Sequence, residues 1–428
     1  MNKPDAHADP SPEWTIERLV PGGDGFLRLP DGRAAFVAGA LPGDRVEPLG
    51  LEVHRDYVKS KHFHLLAAGP DRIEPACPVA ARCGGCDWMH LERGAQLRAK
   101  AGLLREALHR TGRFHELPPI EVVAAGPELG YRSRLRVHVD EAGTIGLFAR
   151  GSHTLVEIPG CIVCEPAVEN ALSVLRDVAR RFPGQLAVFA EIEIRAAPAG
   201  PPVALRLFPR RRARAGSARE LVSELRGQFA VSIEGRGAGH PDQRYPLPGA
   251  VELAAPPAAF TQVNWTANLA LVDHVLENAA ARGLRTFCDL YCGAGNFTLP
   301  LAKAGLQGTG VDRVGAALAA GERGAREQGL KLEFISGEVP VVLRQLLESA
   351  RRFDLVLLDP PRTGAREALA GVVELAPRSI AICSCDPVTL ARDLRELTAR
   401  GYVLETVRGF DLFPQTHHVE AVAWMHRP

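Results

Sequence analysis

Three features of the 428-residue sequence predict an α/β protein with several domains. Short β-type segments broken by glycine turns fill the first part of the chain, and longer alternating runs with a helix follow. From residue 259 onward, buried strands alternate with amphipathic helices, as in a doubly wound, Rossmann-like sheet. The expected divisions are a disordered tail over 1–12, a small β-barrel over 13–68, a mixed α+β domain over 69–258 and the Rossmann-like domain over 259–428.

Composition and charge exclude few functions. The chain has 51 basic and 50 acidic side chains, so its net charge of +1 neither supports nor excludes a nucleic-acid partner. The one dense basic run, Pro209–Arg214, is more typical of a solvated loop than of a specific phosphate contact. Nine unevenly spaced cysteines and the lack of a secretory segment predict a reduced, cytoplasmic compartment. No apolar run approaches about 18 residues, so we expect no membrane span.

Turn signals at Pro21–Gly25, Pro30–Gly32 and Leu41–Asp44 separate the short strands of the first domain. The stretch from 17 to 66, and Phe36–Val46 in particular, resembles the TRAM domain, an OB-like RNA-binding barrel attached to several RNA-modifying enzymes. The resemblance implies that this domain binds RNA. A role in packing or in protein interaction is the alternative.

A cysteine cluster opens the central domain. Cys77, Cys83 and Cys86 are close in sequence, and two glycines between the last two let the backbone wrap around one centre. A structural zinc site would usually have a second C-x-x-C pair soon afterwards, whereas the next cysteines are Cys161 and Cys164. Three close cysteines and one remote cysteine fit a [4Fe-4S] cluster better than zinc.

Two further stretches of the central region have a readable pattern. Leu91–Thr111 has apolar residues at helical spacing and ends before a glycine, which predicts an amphipathic, structural helix. Tyr131–Arg136 places basic side chains at alternate strand positions. This pattern is consistent with a phosphate-contacting edge and equally with a solvated strand face.

The stretch Asp289–Asn296 predicts a nucleoside pocket. Thr286–Leu290 is typical of a buried strand, and the glycine turn after it leads into a helix whose amides would face a ligand. A dinucleotide fingerprint would need a third glycine after Gly293 and Gly295, so we expect no pyrophosphate. Asp312 lies about 20 residues past the turn, where a carboxylate binds ribose hydroxyls. A nucleoside without phosphates predicts S-adenosylmethionine.

Later strands of the same domain end in reactive side chains. Asp359 follows one strand and precedes two prolines and Arg362, where amino-group methyltransferases place an aromatic ring, so methylation of an exocyclic nitrogen is disfavoured. Cys385 ends the next strand before a helix, whose dipole is expected to lower its pKa, whereas Cys383 suits the core. Glu420 lies among apolar neighbours, where burial would raise its pKa toward that of a general base. Thiolate, carboxylate and methyl donor together predict methylation at pyrimidine C5 through a covalent bond at C6.

Over residues 15–428 these motifs resemble the RNA uracil-C5 methyltransferase family, and within it the iron-sulfur-containing branch that acts on 23S ribosomal RNA. The barrel and the three close cysteines contribute to the resemblance. Phe260–Asn264 contributes as well. The motifs that are specific in combination are Asp289–Asn296, Asp359–Gly364, Ser384–Asp393 and Phe413–Glu420.

The resemblance implies roles for individual residues. Cys385 would be the nucleophile, Glu420 the base, and Phe260 would stack on the target uracil. The iron-sulfur cluster would be held by Cys77, Cys83, Cys86 and Cys161. Cys164 is the alternate fourth ligand. The S-adenosylmethionine pocket would be lined by Gln262, Tyr291, Asn296, Asp312, Glu338 and Asp359.

Three positions depart from the family pattern. Asp386 replaces the usual Asn after the nucleophile, Asp312 replaces the usual ribose-binding Glu, and Glu338 replaces a shorter Asn or Asp. The alternatives are a transfer-RNA methyltransferase and a non-catalytic RNA-binding assembly factor. The presence of both Cys385 and Glu420 argues against the second alternative. We expect RNA as the partner, no DNA, no membrane and a monomeric protein.

Overall fold

The computed structural model describes residues 13–198, 200–211, 215–234 and 242–428. The predicted disordered tail, 1–12, and part of the basic run Pro209–Arg214 lie outside these residues. The strands are β1 (Trp14–Thr15), β2 (Arg18–Leu19), β3 (Gly25–Arg28), β4 (Ala34–Val37), β5 (Arg45–Val53), β6 (Tyr57–Ala67), β7 (Glu121–Val123), β8 (Arg134–Val139), β9 (Ile145–Phe148), β10 (Leu155–Glu157), β11 (Phe189–Ala197), β12 (Gly200–Pro209), β13 (Ala230–Ile233), β14 (Gln243–Leu247), β15 (Val251–Ala255), β16 (Thr286–Leu290), β17 (Gln307–Asp312), β18 (Leu332–Ser336), β19 (Leu355–Leu358), β20 (Ser379–Ser384), β21 (Val403–Phe410) and β22 (Glu420–His426).

The helices alternate with strands in the second half of the chain and are grouped in the first half. They are α1 (Arg93–Arg110), α2 (Pro166–Arg181), α3 (Pro183–Leu186), α4 (Arg219–Arg226), α5 (Trp265–Ala281), α6 (Thr298–Lys303), α7 (Gly315–Glu327), α8 (Val339–Glu348), α9 (Arg366–Leu375) and α10 (Pro387–Thr398), with a 3-10 turn at Ala215–Ala218. None of the helices in the described ranges is both long enough and apolar enough to cross a membrane.

The first six strands form one sheet in the order β1-β5-β6-β4-β3-β2. The stretch from 14 to 19 pairs with β5 through β1 and with β3 through β2, so the two ends of the sheet are joined. Asp44 stabilises the turn at one end, because its buried carboxylate accepts hydrogen bonds from Leu41 N at 2.6 Å, from Gly69 N at 2.8 Å and from the Arg72 guanidinium. The identification of this sheet with a TRAM domain stays a prediction.

A second sheet has the order β10-β9-β8-β11-β12-β13, with helices α2, α3 and α4 packed on it. The cysteine-bearing loops lie at its edge. Cys83 forms an isolated bridge to Ala149, just after β9, and the backbone of Arg132 bridges both Cys164 and Asn264. The second sheet therefore connects the cysteine loops to the start of helix α5.

The third sheet has eight strands in the order β18-β17-β16-β19-β20-β22-β21-β7. The strands from β18 to β20 run parallel, whereas β22 is antiparallel to both of its neighbours, β20 and β21. This order confirms the predicted doubly wound α/β architecture. The predicted strand at Thr286–Leu290 matches the structure at both ends.

Each face of this sheet is covered by helices. Alternate residues along a strand point to opposite faces, so Leu290 and Leu358 pack against α8, α9, α10 and α1, whereas Phe287 and Leu357 pack against α5, α6 and α7. Helix α1 and strand β7 fall inside the predicted range 69–258 but pack on this sheet. The domain divisions stay predictions.

The direction of the strands determines where the reactive residues meet. The carboxyl ends of parallel strands lie at one edge of a doubly wound sheet, which is where ligands bind in such folds. Asp312 ends β17, Asp359 follows β19 and Cys385 follows β20. Because β22 runs the opposite way, its first residue, Glu420, lies at the same edge.

Candidate active site

The sheet edge that has Asp312, Asp359, Cys385 and Glu420 is called the reactive edge below. The turn after β16 forms one side of it. Tyr291, Gly293 and Gly295 all have positive φ, of 66°, 57° and 101°, so the chain turns sharply there. The amides of Gly293 and Val314 donate to the two carboxylate oxygens of Asp312, at 2.9 and 2.8 Å. These bonds fix Asp312 beside the turn, in the position that the sequence predicted.

Asp289 lies beneath this turn and is fully buried. Thr298 Oγ1, at the start of α6, donates to Asp289 Oδ2 at 2.5 Å, and Oδ1 has no hydrogen-bond partner among the described residues. Burial raises the pKa of Asp289 to about 8. The carboxyl group therefore connects β16 to α6 and stabilises the turn between them.

The other predicted cofactor residues approach the turn from two sides. Asn296 exchanges two side-chain hydrogen bonds with Asn268 on helix α5, at 2.8 and 3.0 Å. Asn264 caps α5 by accepting from Ala267 N at 3.1 Å, and Gln262 is buried two residues earlier. The start of α5 is thus held directly against the glycine turn.

Tyr291 and Glu338 differ in their surroundings. Tyr291 is half-buried, and burial raises the pKa of its hydroxyl to about 12, with smaller contributions from carboxylates that include Glu338. Glu338 itself is exposed, and its carboxylate lies 3.7 Å from Arg313. The predicted contacts of these side chains with a cofactor stay predictions.

The two candidate catalytic residues lie at the same end of one strand pair. In the antiparallel pair formed by β20 and β22, Ser384 is opposite Ala421; Cys385 follows Ser384 and Glu420 precedes Ala421. Cys385 is half-buried at the end of its strand, whereas Cys383 is only 1% exposed. Sequence reasoning therefore separated the accessible thiol from the core thiol correctly.

Asp386, the residue where the family usually has Asn, caps the helix after the nucleophile candidate. Its Oδ1 accepts from Val388 N at 2.9 Å and from Thr389 N at 2.8 Å. A carboxylate caps a helix N-terminus as well as an amide does. This departure therefore keeps the local structure of the turn.

Charges at the reactive edge interact strongly because the edge is poorly hydrated. Burial raises the pKa of Glu420 well above its ordinary value; the nearby Asp359 adds to the rise and Arg362 opposes it. Burial also raises the pKa of Asp359 to about 7. The predicted direction for Glu420 is thus confirmed, and the carboxylates lie close enough together to affect one another.

The prediction for the nucleophile thiol is wrong in direction. Burial, followed by the charge of Glu420, raises the pKa of Cys385 to about 11 instead of lowering it. A helix N-terminus contributes only a partial charge, and here desolvation and a carboxylate outweigh it.

Arg362 is the residue whose contribution sequence reasoning missed. It had been considered only because it is not aromatic, but its guanidinium hydrogen-bonds the Cys385 thiol and lowers its pKa, against the larger effect of burial. It also opposes the rise in the pKa of Glu420. The available signal was a cation four residues past the end of one strand, when the next strand is followed directly by a thiol.

Phe260 lies apart from these buried groups. Its ring is 67% exposed, although the next two residues, Thr261 and Gln262, are buried. The Arg134 guanidinium lies 5.6 Å from the centre of the Phe260 ring. An aromatic ring fixed at its base and open to solvent can stack on a planar group.

The four predicted cluster ligands line one mainly apolar cavity. Cys77, Cys83, Cys86 and Cys161 are all half-buried there, together with Met89, Arg132 and Leu147. A Cβ added at Gly84 would come within 2.9 Å of Phe148 O, so glycine is required for the close approach of this loop to β9. Cys164 is buried in the neighbouring core instead of lining the cavity.

The side chains in the described ranges do not form a group of three or more histidine, cysteine, aspartate or glutamate residues close enough to hold one metal ion. A four-iron cluster spaces its thiolates more widely than a single ion does. The four thiols on one cavity fit such a cluster in type and number. The cluster itself stays a prediction.

The charges around Cys385 predict how its reactivity depends on pH. In the protein without ligands, we expect alkylation by iodoacetamide to accelerate as the pH rises toward about 11, because only the thiolate reacts. Glu420→Gln removes a carboxylate that raises this pKa, so the profile should move to lower pH. Arg362→Met removes a cation that lowers it, so the profile should move to higher pH. Peptide-resolved mass spectrometry measures the rates.

The buried thiol of Cys383 provides the internal control, and it should remain unmodified over the same period in all three proteins. A Glu420→Gln protein in which alkylation of Cys385 requires higher pH than in the wild type would contradict the inferred electrostatics.

Comparison with known proteins agrees with this geometry. The family model described as tRNA (uracil-5-)-methyltransferase matches residues 343–428. The solved structure of Pyrococcus abyssi tRNA (uracil-54, C5)-methyltransferase in complex with S-adenosyl-L-homocysteine aligns with a TM-score of 0.76 at 22% identity, covering 96% of this chain and all of that one. This similarity shows the same fold.

Curated relatives match over nearly the whole chain. The 23S rRNA (uracil(1939)-C(5))-methyltransferase RlmD of Pectobacterium carotovorum is 33% identical over 96% of this chain and 92% of its own length. The enzyme of the same name from Acidithiobacillus ferrooxidans is 32% identical over the full length of both. The family predicted from the sequence is therefore confirmed. The chain belongs to the RNA uracil-C5 methyltransferases, which transfer the methyl group of S-adenosylmethionine to C5 of uracil in RNA.

Proposed function

We propose that the protein methylates C5 of a uridine in 23S ribosomal RNA through a covalent adduct between Cys385 and C6 of the base. One observation carries the mechanism: Cys385 directly follows β20 and Glu420 begins the antiparallel β22, so both lie at the sheet edge that also has Asp312 and Asp359. Uracil C5 is not nucleophilic until C6 is substituted. The reaction therefore needs a nucleophile and a base on one substrate ring.

The proposed reaction makes and breaks bonds at C6 and then at C5 of the uracil ring. The Cys385 thiolate bonds to C6, and the electron pair of the C5–C6 double bond moves into the ring as an enolate. C5 then takes the methyl group that S-adenosylmethionine would supply, and the electron pair of the broken S–CH3 bond would stay on sulfur, leaving S-adenosylhomocysteine. Glu420 then removes the proton from C5, and the C6–S bond breaks as the double bond re-forms, which releases Cys385.

The surroundings of each group fit its role. Arg362 hydrogen-bonds the Cys385 thiol and favours its thiolate against the cost of burial. The raised pKa of Glu420 makes its carboxylate a stronger base than an exposed one. A raised thiol pKa also means a more nucleophilic thiolate once the proton has left.

The residues proposed to hold S-adenosylmethionine surround the glycine turn. Each carboxylate oxygen of Asp312 accepts one backbone amide and retains a lone pair for a ribose hydroxyl. The same role of lining the pocket is proposed for Gln262, Tyr291, Asn296, Glu338 and Asp359. The Glu338 carboxylate is exposed and lies 3.7 Å from Arg313.

The RNA is proposed to bind across the exposed Phe260 ring, which would stack on the target uracil. Arg134 beside this ring is well placed to contact the RNA backbone. A TRAM role for the first sheet would add a second RNA contact. The choice of 23S ribosomal RNA follows the curated relatives, and transfer RNA is the alternative because the matching family model and the similar solved structure carry that name.

We also propose that Cys77, Cys83, Cys86 and Cys161 hold a [4Fe-4S] cluster. Support comes from the four thiols on one cavity and from Cys164 lying outside its lining. The loops that carry these thiols are remote in sequence from the catalytic strands, so the cluster would serve folding or RNA placement. A cytoplasmic location and a monomeric state stay predictions.

Glu420→Gln should trap the reaction after methyl transfer. The adduct forms and C5 is methylated, but Cys385 is not released because the C5 proton stays in place. We expect a denaturant-stable band on a gel that contains protein, RNA and a labelled methyl group. Cys385→Ala is the matched control and should form no such band, whereas Cys383→Ala should turn over normally. Normal turnover by Glu420→Gln would remove this carboxylate from the mechanism and leave Asp359 as the next candidate.

A deletion strain should lose 5-methyluridine from its 23S ribosomal RNA. Nucleoside mass spectrometry of separated ribosomal and transfer RNA measures the loss in each fraction. Complementation with the wild-type gene or with Cys383→Ala should restore the modification, whereas complementation with Cys385→Ala should not. Loss confined to transfer RNA would establish the alternative substrate.

Anaerobic purification should give a brown protein with about four irons per chain. Cys161→Ala should lose iron and colour because its thiol lines the cavity, whereas Cys164→Ala should retain both. Iron analysis and visible absorption are the measurements. Stoichiometric zinc in a colourless protein would overturn the cluster assignment.

A further inference from the structure

The segment that leads to Glu420 has no regular structure of its own. Residues 411–419 connect β21 to β22 and lie between helix α1 and the loop that follows Cys86. Gln415 in its middle has a φ of 67°, a conformation that costs free energy for a residue with a side chain. The surroundings must therefore hold this segment in place.

Helix α1 holds the start of the segment by charge. The ammonium of Lys100 donates to Asp411 Oδ1 at 2.5 Å and to Phe413 O at 2.9 Å, and the side chains of Lys100 and Asp411 are both fully buried. Arg93 contacts the other oxygen of Asp411. A buried ammonium is stable only with such partners, so the geometry around it is narrowly defined.

The middle of the segment is held by amide hydrogen bonds. The Gln96 side chain accepts from Gln415 N at 2.9 Å and donates to Gln415 Oε1 at 3.0 Å. Trp88 N donates to Gln415 O at 2.9 Å, and Tyr131 OH donates to Pro414 O at 2.9 Å. Gln415 is therefore bonded through both its backbone and its side chain, which stabilises its left-handed conformation.

The end of the segment is held by Asp87, the residue after Cys86. Asp87 accepts from His417 N at 3.2 Å, and its other oxygen contacts His417 Nδ1. Glu420 follows three residues later, at the first position of β22. The position of the base thus depends on contacts from a helix and a loop that are remote in sequence.

We propose that Lys100 and Asp87 are positioning residues, which hold the 411–419 segment so that Glu420 is aligned with C5 of the substrate for proton removal. Neither side chain touches the reacting atoms. This inference rests on the proposed role of Glu420 as the base. Proton removal from C5 would then depend on Lys100 and Asp87, which lie outside the methyltransferase strands.

Lys100→Met is the main test. The methionine has a similar length, and Asp411 keeps Arg93 as its partner, so no carboxylate is left without a counter-charge. We expect release of the adduct to slow by about tenfold to a hundredfold, as for a displaced catalytic group. The S-adenosylmethionine Kd and the rate of adduct formation should change little. The probe is total RNA from the deletion strain.

Hydrogen-deuterium exchange gives a readout that does not depend on the reaction. The peptide that covers 411–419 should exchange faster in Lys100→Met and in Asp87→Asn. Each substitution weakens the contacts that hold the segment, so the amides of Gln415 and His417 should be less protected from exchange. Peptides from β19 should be unchanged. Asp87→Asn acts from the other side of the segment, so it tests the proposal even if Lys100→Met folds poorly.

Arg206→Met is the matched control for a general loss of stability. It breaks a half-buried ion pair with Glu193 and Glu234 in the second sheet, away from the segment. It should lower the melting temperature without slowing adduct release. Unchanged exchange of the 411–419 peptide in both test variants, or release at the wild-type rate, would overturn the inference.

The failure of this inference differs from the failure of the proposed function. If Glu420→Gln accumulates adduct and neither Lys100→Met nor Asp87→Asn does, the base is correct and the positioning role is wrong. If Glu420→Gln accumulates no adduct, the base itself is misassigned, and alignment of Glu420 by Lys100 and Asp87 falls with it.

Discussion

The antiparallel insertion of β22 between β20 and β21 is the constraint on which the reactive edge depends. Parallel strands all have their carboxyl ends at one edge of the sheet. Cys385 and Asp359 reach the reactive edge in this way, because each follows the end of a parallel strand. Glu420 begins its strand, so it would lie at the far edge if β22 were parallel. Reversal of that one strand brings its carboxylate to the end of the sheet where the thiol follows the neighbouring strand, and the backbone hydrogen bonds of two ladders hold β22 in place.

The second physical feature is the low hydration of this edge. Two carboxylates, a thiol and a guanidinium share a small region, and burial raises the pKa of the three acidic groups. Without a cation, the negative forms of all three would be strongly disfavoured. Arg362 offsets part of that cost for Cys385 and Glu420. The balance between desolvation and one cation therefore sets the protonation states from which the chemistry starts.

The loop that follows Cys86 and the 411–419 segment are in direct contact, although the cysteine cavity and the reactive edge belong to different sheets. Asp87 and Trp88, which follow Cys86, bond to His417 and Gln415. A change in the conformation of this loop would be transmitted to the segment before Glu420 by hydrogen bonds alone. The arrangement gives the central region a physical connection to the methyltransferase strands.

Local sequence patterns were sufficient for much of this protein. Alternation of buried strands with helices determined the doubly wound architecture, and the glycine turn with Asp312 predicted a nucleoside pocket, because both depend on neighbours within about 20 residues. Cys385 and Glu420 were also predicted to act together, first from the chemistry of a thiol and a carboxylate beside a methyl donor and then from the resemblance to a family. Glu420 considered alone would more often be a surface acid.

Tertiary structure decided what depends on partners remote in sequence. The pKa of Cys385 rises instead of falling because burial and a carboxylate from another strand outweigh the helix dipole, and no local pattern contains that carboxylate. The buried pair of Lys100 and Asp411 joins residues that are 311 positions apart. The sequence by itself therefore determined the strands, the pocket turn and the reactive residue types. Their protonation and alignment were decided by packing, since electrostatic and hydrogen-bond energies depend on distance in space and on exclusion of water.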